Sequence, residues 1–371
     1  MRPHRTPGLL LAAVLCWTPL ASHGFEWGAC VHLALGRGNA DQILGALQRG
    51  GFSSFRDDVY WGPMETSRGQ LDFPQQYRQL DRAVTVLAQA GGTPLLILDY
   101  GNDFYDGGGQ VTSAAGIEAF ERYVGFVVSH FGNRVNQYEV WNEWNTGFGS
   151  KPPRTHGDPQ DYARLLARTY ATIKAINPNA RVIGGAVAGG DRAWSRAFFS
   201  AGGLRSLDAF SVHSYTLFHA HSNPEVAFRI LDALRGDMQK SEPGREIPVL
   251  VTEIGWPTNQ GRLGVSESVA AAYLVRFLAL ASARPWIAGI WWYDLIDDGG
   301  DVRASEQQFG LLKSATPPVA KAAYAAASEA GPLFATSTRV HSFALPGGGY
   351  AITGRTRQHD WLVGWQLEPA V

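Results

Sequence analysis

Tyr138-Glu139-Val140-Trp141-Asn142-Glu143-Trp144-Asn145 carries the first strong signal in this chain. From Val135 to Trp141 the residues are apolar, aromatic and β-branched, which predicts a short buried strand. An amide and a carboxylate, Asn142 and Glu143, then stand side by side as the strand runs out. A carboxylate held among so many rings needs a partner or a task. A second stretch has the same form: Ile247-Pro248-Val249-Leu250-Val251-Thr252-Glu253-Ile254-Gly255-Trp256-Pro257 is a buried strand with a glutamate near its end. An ion-paired carboxylate at a strand end accounts for either glutamate alone. It accounts poorly for both once their shared register is clear.

That register comes from the segments on either side. From Phe25 onward, apolar strands alternate with helical patterns. Strands are predicted at Trp27 to Leu33, Phe52 to Val59, Pro94 to Tyr100, Val135 to Trp141, Arg181 to Ala186, Leu207 to Ser214, from Ile247, and at Ile287 to Tyr293. Helices are predicted at Asp41 to Arg49, Gln75 to Ala90, Gly116 to Phe131, Gln160 to Ile176, Arg192 to Ser200, Glu225 to Lys240, Glu267 to Ala283 and Pro318 to Glu329. The Gln160 helix is clearly punctuated: Asp158 caps it, Pro159 opens it and Asn177-Pro178 stops it. Eight such units predict an α/β fold, a closed (β/α)8 TIM barrel with helices outside. An open doubly wound sheet is the runner-up, but no phosphate-binding glycine fingerprint opens its first unit. The tail reads as three short strands, Arg339 to Ala344, Tyr350 to Arg355 and Trp361 to Gln366, forming a small β appendage. Three strands are marginal alone, so they are expected to pack on the barrel. The expected division is a targeting peptide over 1–24, a barrel over 25–332 and the appendage over 333–371.

Composition excludes several classes. The net charge of -1, from 32 basic and 33 acidic residues, offers no field for nucleic acid or an anionic membrane. Arg2, His4 and Arg5 precede an apolar run from Leu9 to Trp17 and a small-residue exit near Gly24, the pattern of an export signal. The expectation is therefore an exported monomer, periplasmic or extracellular, with no membrane segment after cleavage. Removal of that segment would leave Cys30 as the single cysteine, a small core residue rather than half of an internal disulfide. The loop Asp297-Asp298-Gly299-Gly300-Asp301 superficially suggests calcium but lacks the ligand spacing. No metal or cofactor is expected.

In a barrel of this kind, reacting groups come from strand carboxyl ends and the loops after them. Glu143 on strand four and Glu253 on strand seven would then face one mouth. Two carboxylates there suit cleavage of a glycosidic bond, one as acid and one as nucleophile. At this point the chain resembles the superfamily of retaining glycoside hydrolases with an acid/base on strand four and a nucleophile on strand seven. The signature is Asn142-Glu143 and Thr252-Glu253-Ile254-Gly255-Trp256, and the resemblance runs from about Trp27 to Tyr324. Trp61, Glu65, Gly69, Phe73 and Tyr77, with Trp292-Tyr293-Asp294-Leu295 and Phe309-Gly310-Leu311, look most like the β-xylosidase and iduronidase family, glycoside hydrolase family 39. Bacterial exopolysaccharide glycosidases are similar in the same places.

The resemblance implies roles: Glu143 as general acid/base, Glu253 as nucleophile, Arg56 as its support and Asn142 on the sugar 2-hydroxyl. It places Tyr215 against the nucleophile, His213 near the acid/base and Trp292 flat beneath the sugar, with Trp291 as a packing residue. His32 is a further candidate for substrate contact. The substrate would be a β-linked polysaccharide or oligosaccharide, such as a bacterial exopolysaccharide, cut within the chain. Exo-removal of single sugars such as xylose is the alternative, and a carbohydrate-binding barrel without turnover is the reading from another class. Aromatics at both ends of an open groove would favour internal cleavage, and a blind pocket would favour exo-removal.

Overall fold

The computed structural model describes residues 25–150, 154–217, 222–315 and 317–367, so the segment read as a targeting peptide lies outside the described residues. Eight strands form the centre: β1 (Glu26–Cys30), β2 (Ser54–Tyr60), β3 (Leu95–Asp99), β4 (Gln137–Val140), β5 (Arg181–Ala188), β6 (Ala209–His213), β7 (Val249–Ile254) and β8 (Ile287–Trp292). Each pairs in parallel with the next, and β8 returns to β1 with Trp291 opposite Gly28, closing the barrel. Around it lie α1 (Ala40–Arg49), the one-turn α2 (Trp61–Met64), α3 (Arg78–Gln89), α4 (Ala114–Phe131), α5 (Pro159–Ile176), α6 (Arg192–Ser200), α7 (Pro224–Ser241), α8 (Glu267–Ser282) and α9 (Ala322–Ala335). This is the (β/α)8 barrel that the alternation predicts. Among the described residues, no helix is long and apolar enough to cross a membrane.

Parallel strands bury both faces, and that is why these segments are almost continuously apolar. The barrel interior holds Cys30, Leu95, Ile97, Ile183, Ala209, Leu250 and Trp291. The alternate residues, among them Trp27, Phe55, Val59, Leu96 and Leu98, pack outward against the helices. Helix starts are set by side-chain caps: Asn39, Ser113, Asp158, Asp191, Asn223 and Ser266 each accept a backbone N–H of their own first turn. Each such cap contributes about 1 kcal/mol. The strand beginnings are tied together by polar groups, with Glu26 accepting from Arg181 Nη1 at 2.7 Å and from Thr93 Oγ1 at 3.1 Å. That closes one end and leaves the carboxyl ends of the strands as the open mouth.

One helix departs from its expected position. Pro318–Ala320 (β10) pairs antiparallel with Leu312–Ala315 (β9), and α9 begins only at Ala322. The start of α9 is anchored by Lys321, whose buried ammonium donates to Asp297 Oδ1 at 2.6 Å, Thr258 Oγ1 at 2.9 Å and the Gln308 carbonyl at 3.0 Å. The helix then runs through Pro332 to Ala335. At Gly331 its backbone lies so close to the Trp27 ring that a β-carbon would collide with it.

The appendage is a sheet of β11 (Thr338–Leu345), β12 (Gly349–Arg355) and β13 (Asp360–Trp365) in antiparallel order. Trp361 packs edge-on against Phe334 of α9, with ring centres 4.9 Å apart. Trp365 donates its indole N–H to Glu225 of α7 at 2.8 Å. Glu225 in turn pairs with Arg276 of α8, so the sheet is fastened to three helices.

Candidate active site

β4 ends at Val140, three residues before Glu143. The backbone then turns through left-handed conformations at Trp141 (φ 64°) and Glu143 (φ 49°). Non-glycine residues adopt such conformations at a cost of roughly 1–3 kcal/mol each, and they cluster at functional sites. Here the turn lifts Glu143 over the barrel mouth. Its neighbours hold it there: Trp141 and Trp144 are fully buried, and their indole nitrogens donate to the Phe148 and Asp158 carbonyls at 3.1 and 3.0 Å. Glu253 lies inside β7, one residue before its end, directly beside His213 of β6.

Arg56 is the hub between these residues. It sits within β2, and its ion-pair partners are the distant Glu139 and Glu253 rather than the adjacent Asp57 and Asp58. Its Nε donates to Glu139 Oε2 at 2.7 Å, Nη1 to Glu253 Oε1 at 2.7 Å and Nη2 to Asn142 Oδ1 at 3.0 Å. Burial lowers the guanidinium's proton affinity, and the charges of Glu139 and Glu253 more than restore it. Asp57 instead accepts the Leu33 N–H at 2.8 Å and steers the loop after β1. Asn142 completes its hydrogen bonding by donating Nδ2–H to the Tyr100 hydroxyl at 3.0 Å.

His213 is fully buried and bridges the two glutamates. Nδ1 lies 2.8 Å from Glu143 Oε1 and 3.5 Å from Glu253 Oε2. Burial lowers the imidazole's proton affinity, but the Glu253 charge and the Glu143 hydrogen bond raise it further. Arg56 Nη2 can only donate, and it lies 3.3 Å from Nε2. The proton is therefore assigned to Nδ1, directed at Glu143. Tyr215 donates its hydroxyl to Glu253 Oε2 at 2.9 Å. Burial and the Glu253 charge push that phenol up, so it remains a donor. Carboxylate oxygens of Glu143 and Glu253 lie within 4.8 Å of each other, with His213 in the same cluster. Separations of about 5 Å suit direct attack by one carboxylate, whereas a water between them requires about 6.5–9.5 Å.

Above this network opens a cavity of about 720 Å³, within the range of ligand sites. One wall carries Tyr60, Tyr100 and Phe148, with successive ring centres 5.9 and 6.1 Å apart. The other carries Tyr215, Tyr293 and Phe309, each within 6.3 Å of the other two. The first wall rises from β2, β3 and β4 and the second from β6 and β8, so they stand on opposite sides of a closed eight-strand barrel. His32 also lines the cavity and pairs with Asp298 at 2.8 Å. Burial opposes its charge, but Asp298 and Asp294 overcome this and raise its pKa to about 9. His32, Asp294 and Asp298 bring potential ligand atoms within 4.8 Å, yet Nδ1 is already donating to Asp298. They form an ion-paired cluster.

Trp292 is not where the sequence reading placed it. Side chains alternate along β8, and the residues turned inward are Trp291 and Tyr293. Trp292 faces outward, 2% exposed, and packs on Trp256 with ring centres 5.9 Å apart. Trp291 does point inward, but it lies below the cavity and donates to Ser54 Oγ at 2.9 Å near the start of β2. The ring presented to the cavity is Tyr293, the first residue past β8.

Glu139, Tyr100 and Tyr293 had no role in the sequence reading. Glu139 was the most accessible of the three: a glutamate in the middle of a four-residue buried strand requires a cation, and Arg56 occupies the equivalent inward layer of β2.

No family model matches the sequence. A stretch of 193 residues is 26% identical to a β-xylosidase of Geobacillus stearothermophilus, covering 46% of this chain and 37% of that enzyme. This chain thus matches little more than a third of that curated relative. A family 39 glycoside hydrolase from Bacteroides cellulosilyticus superposes with a TM-score of 0.76 at 25% identity, over 92% of this chain and 70% of that one. The chain resembles glycoside hydrolase family 39. A monomeric β-xylosidase from Caulobacter crescentus shares the fold of this family 39-like chain, with a TM-score of 0.62 at 19% identity over 89% of this chain and 73% of that one.

Proposed function

We propose that the chain is a retaining β-glycoside hydrolase that cuts within a neutral or mixed polysaccharide, such as a bacterial exopolysaccharide, after export through its N-terminal segment. The observation that carries the reading is the Glu143–Glu253 pair, close enough for direct attack and wired through Arg56, His213 and Tyr215. Glu253 attacks the anomeric carbon as its bond to the leaving sugar breaks, and Glu143 gives its proton to the departing oxygen. Glu143 then takes a proton from water, whose oxygen displaces Glu253 and frees the sugar with its original configuration. Arg56 and Tyr215 hold the nucleophile in place, and Asn142 is positioned for the sugar 2-hydroxyl. Aromatic walls on both sides of the pair support cleavage within a chain, because rings on each side can hold sugars beyond the broken bond. The β-xylosidase relatives support exo-removal of xylose as the second reading.

The test is azide rescue. Glu253→Ala should lose turnover and regain it with azide, giving a glycosyl azide of inverted configuration. Glu143→Ala should still form the covalent intermediate from activated aryl glycosides, since a good leaving group needs no proton. A retained azide product from Glu253→Ala would reverse the two roles.

A further inference from the structure

Resting on the reading of this cavity as a glycosidase site, we propose that it accepts neutral sugars and rejects uronates at the position of cleavage, with Glu306 as the specificity-determining residue. Among the described residues lining the cavity, Asp58, Glu143, Glu253, Asp298 and Glu306 are acidic, and the cationic candidates are Arg56 and His32.

Each of these cations already has resident carboxylates. Arg56 is committed to Glu139 and Glu253, with its remaining donors on Asn142 and beside His213. His32 is held by Asp298, which also pairs with Arg37 beside the cavity. A uronate carboxylate entering here would therefore have to displace a buried ion pair to find a cation, and breaking one by removing a partner leaves the other charge unpaired. Arg154 is not among the lining residues, and its guanidinium lies over the Phe148 ring, 4.4 Å from the ring centre.

Two of the acids, by contrast, form no ion pair among the described residues. Asp58 faces the buried carboxyl of Asp99, another acid. Glu306 stands on a single turn at Ser305–Gln307, open to solvent on the cavity rim, with no hydrogen-bond or ion-pair partner among the described residues. Partial burial raises its pKa, and the charges of Glu253, Glu143 and Asp298 add to the rise, so its carboxyl senses the floor of the cavity. An acceptor in that position suits sugar hydroxyls, which donate, and repels a second carboxylate. The distinction matters because the resemblance spans both xylosidases, whose sugar is neutral, and iduronidases, whose sugar is a uronate.

The probes are methyl β-glycosides in the gluco, galacto and manno series, each paired with its 6-carboxylate and titrated into the full protein at low and high salt. The best-bound neutral glycoside should exceed its uronide by about tenfold at low salt, and salt should narrow the gap. Glu306→Gln should reduce the ratio at least threefold, and Glu306→Lys should reduce it further. Neither change touches the buried core, so folding is checked simply by the thermal midpoint. A uronide bound as tightly as its neutral partner, a ratio unmoved in both variants, or no binding by any sugar would overturn the proposal. Binding with the expected ratio but without hydrolysis of any β-glycoside would uphold it and sink the hydrolase reading. Hydrolysis of uronides with retention would do the reverse.

Discussion

Removing the Arg56 guanidinium should separate stability from catalysis, because its two carboxylate partners differ in burial. Glu139 has no exposure, and one of its oxygens lacks any other partner. Glu253 is 8% exposed, opens to the cavity and keeps Tyr215. Arg56→Met therefore strands a dry charge at Glu139, and breaking a buried pair in this way costs about 3–5 kcal/mol. For a chain of this size that should lower the thermal midpoint by roughly 4–7 °C. The same change removes a charge-assisted hydrogen bond from Glu253, the proposed nucleophile, worth about 1.5–3 kcal/mol. That corresponds to a loss of roughly 10- to 150-fold in kcat/KM. The double variant Arg56→Met/Glu139→Leu replaces the buried pair with apolar groups, which is often neutral or stabilising. Thermal midpoint and kcat/KM are to be measured on the single and double variants. The double variant should regain most of the midpoint and none of the activity. Activity returning with stability would mean that Arg56 only holds the fold, and the account of Glu253 would be wrong.

Trp292→Ala should cost about 3–5 kcal/mol of stability, as core tryptophans do, and leave kcat/KM within a few-fold, whereas Tyr293→Ala should do the opposite in paired kinetic and melting measurements. His32 is raised from its ordinary value to about 9, so its ion pairs stabilise the fold fully below about pH 6.5 and lose that effect as pH rises through 9. The shift bounds the contribution at about 3 kcal/mol, so melting curves should show His32→Gln costing clearly more at pH 6 than at pH 9.5. Phe148→Ala should lower kcat/KM on oligosaccharides by about tenfold, the worth of one lost ring contact, while aryl monoglycosides stay within twofold. An equal fall on both substrates would make the ring structural.

The sequence was most legible where one local rule acted alone. Asp158 and Pro159 mark the start of α5 because capping and proline geometry depend only on neighbouring residues. Glu143 and Glu253 stood out as carboxylates where apolar strands run out, and the closed barrel brings them to one mouth. The left-handed turn that carries Glu143 past the end of β4 left no such mark, since neither Trp141 nor Glu143 favours that backbone. The Trp291/Trp292 question failed for a different reason. Period-two alternation says which residues share a face, but neither which face turns inward nor which inward layer reaches the cavity: Trp292 faces the helices, Trp291 lies below the cavity, and the ring presented to it is Tyr293. Pro318 was read as a helix start when it opens a strand, because the anchor that starts α9 is a buried lysine with three distant partners. Glu139 was overlooked because its meaning depends on a residue 83 positions away.

Glu253 is proposed to attack the anomeric carbon directly, with Glu143 as its acid. Proton NMR of the first-formed product, recorded before mutarotation, tests this most directly. The β-anomer is expected from a β-linked substrate, released with configuration retained and equilibrating only afterwards. Initial release of the α-anomer would mean that a water stood between the two glutamates, contradicting the direct attack that their spacing implies.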